Sequence, residues 1–307
     1  MQDQTRPSPV TAMATPTRWS SPYADGIRLG RLRRARLLAL FLICGFLIFS
    51  LGVDYHARFW TNKSGAYKVG VSVVFALAAL VLRKSERGRA YGPIALAFLA
   101  ASLTNVATWY LAAPLQRRLF SLTGLSVATA QGMVVGKLVD VVLRLTPIVA
   151  LVSFTGDGLG SLLVGRGNWR WSLGIGALAL GNLLATAIAV VAGGSGDLGA
   201  VFANLPWWLA FSLINAVMEE IWFRSLFLGR LTPVIGAGGA LWVTSLTFGI
   251  SHTFAAYIDP ASALVFGIIV LTLGLAWALL MQKTQTIWGS VLYHAAADTF
   301  WAVVAGF

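Results

Sequence analysis

Ionisable residues lie inside apolar segments in the last third of this 307-residue sequence. Two of the three glutamates, Glu219 and Glu220, are adjacent in one apolar run, and two of the three histidines, His252 and His294, fall in later apolar runs. Carboxylates and imidazoles are the commonest side chains in general acid–base catalysis. Imidazole nitrogens and carboxylate oxygens are also zinc ligands. These residue types therefore indicate proton-transfer chemistry or a metal site.

Helical spacing separates the roles of the two adjacent glutamates. Arg224 follows Glu220 by four residues, which places both side chains on one helix face and predicts an ion pair. Glu219 points about 100° away and shares its face with Asn215, four residues earlier. Since Glu220 is neutralised locally in this arrangement, we expect Glu219 to be the freer carboxylate.

The two histidines each have a partner one helical turn away. Asp298 follows His294 by four residues and can accept a hydrogen bond from the imidazole, which would fix its tautomer. Phe248 precedes His252 by the same interval. We therefore expect Phe248 to line the wall of a cavity into which His252 points.

Depth along the helices supports a common location. The glycine-rich stretch 236–239 is typical of a loop, so we expect the following helix to begin near Ala240. His252 then lies twelve residues into its helix, level with Glu219, and His294 lies at a similar depth. The three groups are predicted to converge.

Composition indicates what surrounds these residues. Hydrophobic residues make up 57% of the chain and charged residues 11%, against about 25% charged in soluble domains. We therefore predict an all-α, polytopic transmembrane helical bundle with about eight to nine spans. The half-polar stretch 115–137 is expected to be interfacial or re-entrant. The apolar runs are 37–53, 66–82, 93–113, 138–154, 171–192, 205–228, 238–258, 261–281 and 286–307.

The distribution of charge predicts an orientation and a domain organisation. The formal net charge is +12, but seven of the 23 basic residues lie in the first 36 positions and the others cluster in short loops. This pattern favours a cytoplasmic amino terminus and argues against a nucleic-acid groove. We expect a disordered basic cytoplasmic tail over 1–36, amino-terminal transmembrane helices over 37–204 and a catalytic transmembrane core over 205–307.

Ionisable groups at membrane depth restrict the possible functions. Each costs about 2.5–3.5 kcal/mol even on lenient insertion scales, so several of them together indicate a shared polar cavity. An enzyme active site, a proton- or ion-coupled transporter and a purely structural network all remain open from the residues alone. Asp140 and Arg144, again four residues apart, are expected to form a structural ion pair outside the site.

Three ordered motifs resemble those of the CPBP intramembrane protease family, which includes the type 2 CAAX prenyl proteases. They are Glu219-Glu220-x-x-x-Arg224, Phe248-x-x-x-His252 and His294-x-x-x-Asp298, and the resemblance covers roughly residues 205–307. It implies an intramembrane endopeptidase in which Glu219 and His252 activate water. Glu220 and Arg224 complete the first motif, and His294 and Asp298 support the transition state. A catalytically silent scaffold or chaperone of the same fold is the alternative.

The resemblance leaves the cofactor open. Glu219, His252 and His294 could ligate Zn²⁺ with one position free, but the motifs lack the HExxH helix of zincins, and a metal-free glutamate mechanism is equally compatible. The expected partners are membrane lipids and a membrane-anchored peptide or protein substrate, with no nucleic acid and no specified oligomeric state. Eighteen arginines against five lysines favour a GC-rich bacterial genome, and hence a bacterial plasma membrane.

Overall fold

The computed structural model describes residues 30–53, 65–165, 167–194, 196–253, 255 and 259–305, and within these ranges the chain is helical and contains no strand. The helical fold class is therefore confirmed. Residues 1–29, most of the predicted cytoplasmic tail, lie outside the described ranges. The helices are α1 (Arg31–Gly45), α2 (Gly65–Lys84), α3 (Gly92–Thr123), α4 (Ala130–Thr155), α5 (Trp169–Gly193), α6 (Leu198–Glu219), α7 (Leu226–His252), α8 (Pro260–Thr284) and α9 (Trp288–Ala305).

Six helical segments of the described chain are long and apolar enough to span a membrane, by length and composition. They are α2, the segment Arg89–Thr123, α4, α5, the segment Leu198–His252 and α8. Helices α1 and α9 complete the bundle in the described ranges. Many large apolar side chains face outward, as expected where the surrounding solvent is lipid rather than water.

The first helix begins earlier than the sequence predicted. Residues 31–36, assigned to the tail, form the first turns of α1. Arg34 belongs to this stretch and donates through Nε to the backbone oxygen of Ile235 across 2.7 Å. A basic side chain that binds a carbonyl at the end of a helix is favoured by the helix dipole. The order in residues 31–36 therefore has a tertiary cause that local composition does not reveal.

The half-polar stretch 115–137 is not a separate interfacial or re-entrant segment. Helix α3 continues through it to Thr123 and ends at Gly124, which adopts the left-handed conformation with φ 69°. Helix α4 begins at Ala130, capped by the side chain of Thr129. The stretch thus consists of the ends of two regular helices and the turn between them, and the expectation of a separate re-entrant segment was wrong.

A reversal at Gly236 brings the carboxyl-terminal motifs together. Gly236 has φ 77° and ψ 163°, which breaks the helix within α7, and a Cβ atom there would lie 2.1 Å from Nη2 of Arg34. The rings of Phe223 and Phe248, on the two sides of the break, are 5.0 Å apart. The segment Leu198–His252 is therefore a helical hairpin, with its turn at Gly236, the first residue of the predicted 236–239 loop.

A π-helical turn, Glu220–Ser225, joins α6 to α7 directly after Glu219. Its residues are buried, and Trp222 and Phe223 pack against Phe49 with ring centroids 4.9 and 4.5 Å apart. A π turn widens the helix by one residue and is found mostly at functional sites. This aromatic cluster fixes the turn that carries the first motif.

Asp140 and Arg144 do not form the expected ion pair. The guanidinium of Arg144 lies 4.2 Å from the ring centroid of Trp222. Asp140 Oδ1 instead accepts from the amide nitrogen of Gln116 across 3.4 Å. The i,i+4 spacing permitted the pair, but an aromatic surface on a neighbouring element competes for the cation.

Candidate active site

A cavity of about 580 Å³ opens among α4, α6, α7, α8 and α9. Its wall is largely apolar and aromatic, and its polar side chains are few: Asn215, Glu219, His252, His294 and Asp298. Four of these five were predicted site residues, and Asn215 was placed on the face of Glu219. A mostly apolar cavity with a few convergent polar groups is the usual form of a binding or active site.

Glu219 lies between the two histidines. Its Oε2 atom is 3.7 Å from Nε2 of His252 and 3.6 Å from Nε2 of His294. The Glu219 side chain is 4% exposed, so water reaches it only through the cavity. The predicted convergence of the three groups at one depth is confirmed.

Glu220 points away from the cavity into a buried polar cluster. Its Oε1 atom accepts from Nη1 of Arg224 across 2.5 Å and from Nδ1 of His294 across 2.8 Å. Both Glu220 and Arg224 are completely buried. The predicted ion pair is confirmed, and it has the added function of holding His294.

The hydrogen bonds of the two imidazoles define their tautomers. Nδ1 of His252 lies 2.8 Å from the backbone oxygen of Phe248, and Nδ1 of His294 faces Glu220. Both partners are acceptors, so each Nδ1 carries the proton and each Nε2 faces Glu219. Glu220 rather than Asp298 therefore fixes the His294 tautomer, because Asp298 Oδ1 lies 3.6 Å from Nε2. This corrects the expected role of Asp298.

Asp298 ends a chain of hydrogen bonds from α4. Nζ of Lys137 donates to Oδ1 of Asn215 across 3.0 Å, and Nδ2 of Asn215 donates to Oδ2 of Asp298 across 2.9 Å. The Lys137 ammonium also lies 5.0 Å from the Phe211 ring. Sequence reasoning did not assign Lys137 to the site. The only signal was a lysine in a half-polar stretch, since the contact spans 78 residues.

Aromatic rings hold the polar cluster in place. Trp277 of α8 stacks on His294 with ring centroids 4.0 Å apart and an interplanar angle of 12°. The Arg224 guanidinium lies 4.2 Å from the Phe248 ring and 5.0 Å from that of Trp277. Gly274 leaves room for this cation, since a Cβ atom there would be 3.0 Å from Nη2 of Arg224. The expectation that Phe248 lines the cavity is confirmed.

Glu219, His252 and His294 offer the donor atoms that zinc prefers. Zinc bonds of about 2.0–2.2 Å place tetrahedral ligand atoms about 3.3–3.6 Å apart, and the two Nε2 atoms lie 3.6 and 3.7 Å from Oε2 of Glu219. In the described ranges no group of three His, Cys, Asp or Glu side chains could hold a metal ion. As arranged here, the described side chains form no metal site.

Fold and site together define a helical integral membrane protein with a buried glutamate–histidine centre. A family model described as type II CAAX prenyl endopeptidase Rce1-like matches residues 201–300. This range is about a third of the chain and contains all three motifs. The match agrees with the resemblance drawn from the motifs. Comparisons with curated proteins and with solved structures gave no match.

Proposed function

We propose that this protein is an intramembrane endopeptidase that hydrolyses a peptide bond of a membrane-associated substrate. One observation supports this above the others: the Glu219 carboxylate lies within 3.7 Å of two imidazoles on the wall of a largely apolar cavity. A carboxylate that faces the cavity beside two imidazoles is placed to take a proton from a water molecule there. The match of residues 201–300 to an endopeptidase family supports the same chemistry.

Glu219 is the general base of this mechanism. It takes a proton from a water molecule whose oxygen attacks the peptide carbonyl carbon, and it then passes that proton to the departing amine nitrogen. Nε2 of His252, held towards Glu219 by the bond between Nδ1 and Phe248, positions the water. Proton transfer by such a base contributes about 10²–10⁴-fold to the rate.

His294 and Asp298 support the transition state. Nδ1 of His294 is bound to Glu220, so Nε2 of His294 is the ring atom that faces the cavity. When Nε2 is protonated, it donates a hydrogen bond to the developing oxyanion. Asp298 is an acceptor in its hydrogen bond with Asn215, so it acts by orienting its neighbours and not as an oxyanion donor.

The substrate class follows from the cavity wall. Trp208, Phe211, Phe266 and Trp301 line it beside the polar centre, which suits an apolar peptide segment that approaches from the membrane. We propose a membrane-anchored peptide or protein as substrate and a bacterial plasma membrane as the location. A cytoplasmic amino terminus is supported by basic residues at the ends of α1, α2 and α8 that share one end of the bundle.

Comparison of membrane peptides from cells that produce the wild-type protein or Glu219→Gln tests this function. Quantitative mass spectrometry should find peptides whose new termini depend on the wild-type protein, and purified protein in liposomes should cleave the same sequences. Glu86→Gln is the matched control, because Glu86 is exposed and lies in the loop between α2 and α3. It should behave as wild type.

Two other experimental outcomes would favour the alternative functions, a catalytically silent scaffold or an ion-coupled transporter. Identical peptides from the wild type and Glu219→Gln, together with no cleavage in liposomes, would contradict the proposal and favour the silent scaffold. Ion flux into protein-containing liposomes that depends on Glu219, without cleavage, would favour the transporter.

A further inference from the structure

A second cavity, of about 300 Å³, lies at one end of the bundle and is lined by no residue of the three motifs. It is formed where α2 and α4 end, where α3 begins and where α7 passes, and it takes no part in the chemistry above. Its lining combines arginines with apolar side chains: Arg83, Arg89, Gly92, Pro93, Leu96, Leu151, Phe154, Thr155, Asp157 and Arg230.

The polar side of this cavity is cationic. Three guanidiniums, those of Arg83, Arg89 and Arg230, face a single carboxylate, that of Asp157. Arg230 is buried and already bound, since it donates to Asp157 across 3.0 Å and to the backbone oxygen of Leu226 across 2.9 Å. It also neutralises Asp157, so that two positive charges remain uncompensated within the cavity.

Arg83 and Arg89 are available to bind a ligand. Both are exposed, and neither guanidinium has a hydrogen bond or an ion pair with any residue of the described ranges. Two guanidiniums that line one cavity suit an anion with several acceptor oxygens, because each presents a planar set of donors that matches phosphate. Helix α3 begins at Gly92 beside them, and its amino-terminal dipole favours the same charge.

The other side of the cavity is apolar and open to lipid. Phe154 is 90% exposed at the end of α4, and Leu151 lies one turn before it. Leu96 and Pro93 of α3 also line the cavity. A water-soluble anion gains nothing from this wall, whereas an amphiphile can place its polar group at the arginines and its alkyl chains along the apolar side chains.

We propose that this cavity binds an anionic phospholipid, with its phosphate between Arg83 and Arg89 and its acyl chains along Phe154 and Leu151. Basic cavities between transmembrane helices at the cytoplasmic surface are suited to such headgroups. The lipid that binds at this site carries a net negative charge. The site does not depend on the proposed peptidase activity.

Binding of fluorescent short-chain phosphatidylglycerol to the full-length protein in detergent, read by anisotropy, tests the site. Each arginine near the surface should contribute about 5-fold in affinity, so Arg83→Gln/Arg89→Gln should weaken binding about 30-fold. Lys84→Gln/Arg87→Gln is the matched control: it removes the same charge from the same stretch of chain, the end of α2 and the turn after it, but neither residue lines the cavity. It should change affinity less than 3-fold, and phosphatidylcholine should bind far more weakly to the wild type.

A second variant separates a lipid from a free phosphate. Phe154→Ser alters an exposed side chain, so the fold should be retained, and it should weaken binding of phosphatidylglycerol without changing binding of inorganic phosphate. If Lys84→Gln/Arg87→Gln weakens lipid binding as much as Arg83→Gln/Arg89→Gln does, the effect is due to diffuse surface charge and the proposal is overturned. Inorganic phosphate that competes as strongly as the lipid, with no effect of Phe154→Ser, would overturn the assignment to a lipid.

Discussion

Nδ1 of His294 donates to Oε1 of Glu220 across 2.8 Å, and the two residues are 74 positions apart in the chain. The same oxygen accepts from Arg224, so one carboxylate oxygen joins the first motif to the third. Glu219, its neighbour in sequence, points instead into the cavity. Two identical adjacent side chains thus have different environments, and their substitutions should have different consequences.

Glu219→Gln should abolish turnover and leave the fold intact. Glutamine retains the shape and a hydrogen-bonding group but is no base, so we expect at least a ~10²-fold decrease in cleavage rate. Thermal unfolding in detergent should match the wild type on the same samples. Near-normal turnover in this variant would exclude Glu219 as the base.

Glu220→Ala and Arg224→Ala should both unfold more readily than the wild type. Each leaves a charge without its partner in a completely buried pair, which costs on the order of 3–5 kcal/mol. Chemical denaturation in mixed micelles measures the loss. The double variant Glu220→Gln/Arg224→Met removes both charges and should be more stable than Arg224→Ala. If Glu220→Gln alone is well folded and inactive while Glu219→Gln is active, the two glutamates have exchanged roles.

Lys137→Met should lower turnover about 10-fold with little change in KM. Lys137 holds Asn215, which in turn holds Asp298 beside His294, so it acts as a positioning residue. A hydrogen bond that involves a charged group is worth about 1.5–3 kcal/mol. Lys137→Arg should recover much of the rate, whereas a merely structural loss would not be rescued. Lys84→Met, at an exposed site, is the control.

Exhaustive chelation should leave cleavage unchanged. Our mechanism assigns the proton transfer to the Glu219 carboxylate and uses no metal ion, and in the described ranges no group of three His, Cys, Asp or Glu side chains is arranged to hold one. The measurement is cleavage rate after dialysis against a strong chelator, with metal content determined on the same sample. Loss of activity that one equivalent of zinc restores would support the zinc-dependent mechanism instead.

Gly236→Ala should destabilise the protein by about 1–2 kcal/mol or more. Gly236 has φ 77°, and an alanine in this left-handed region is destabilised by about 1–2 kcal/mol. The added methyl group would also displace the Arg34 side chain. Gly229→Ala is the matched control, since it lies in the same helix with nothing within 4 Å of a Cβ atom. It should be neutral or slightly stabilising. Equal thermal stabilities of the two variants would contradict this account of the turn.

The helices and the central residues could be predicted because both depend on local patterns. Each apolar run produced a helix, and the i,i+4 rule identified the Glu220–Arg224 pair correctly. The polar groups converged as predicted because lipid gives an ionisable side chain no other favourable location.

What could not be predicted depends on contacts between distant segments. The i,i+4 rule failed for Asp140 and Arg144, since Trp222 from another element binds the arginine. It misassigned the partner of His294, since Glu220 is closer than Asp298. The π-helical turn after Glu219 has six residues, too few for a hydrophobic periodicity that would distinguish it from an α-helix. Lys137 is part of the site only because α4 packs against α6.

The reversal at Gly236 has a mechanical consequence. Glu219 and His252 lie on the two arms of one hairpin, so the distance between them is an internal dimension of that hairpin. His294 approaches from α9, a separate arm connected through α8. Glu220, the residue after Glu219, binds His294 through a buried hydrogen bond, so this histidine is tied to the same hairpin by a side-chain contact and not by the chain. One histidine is therefore held near Glu219 by the covalent path of the hairpin, and the other by the residue next to the base.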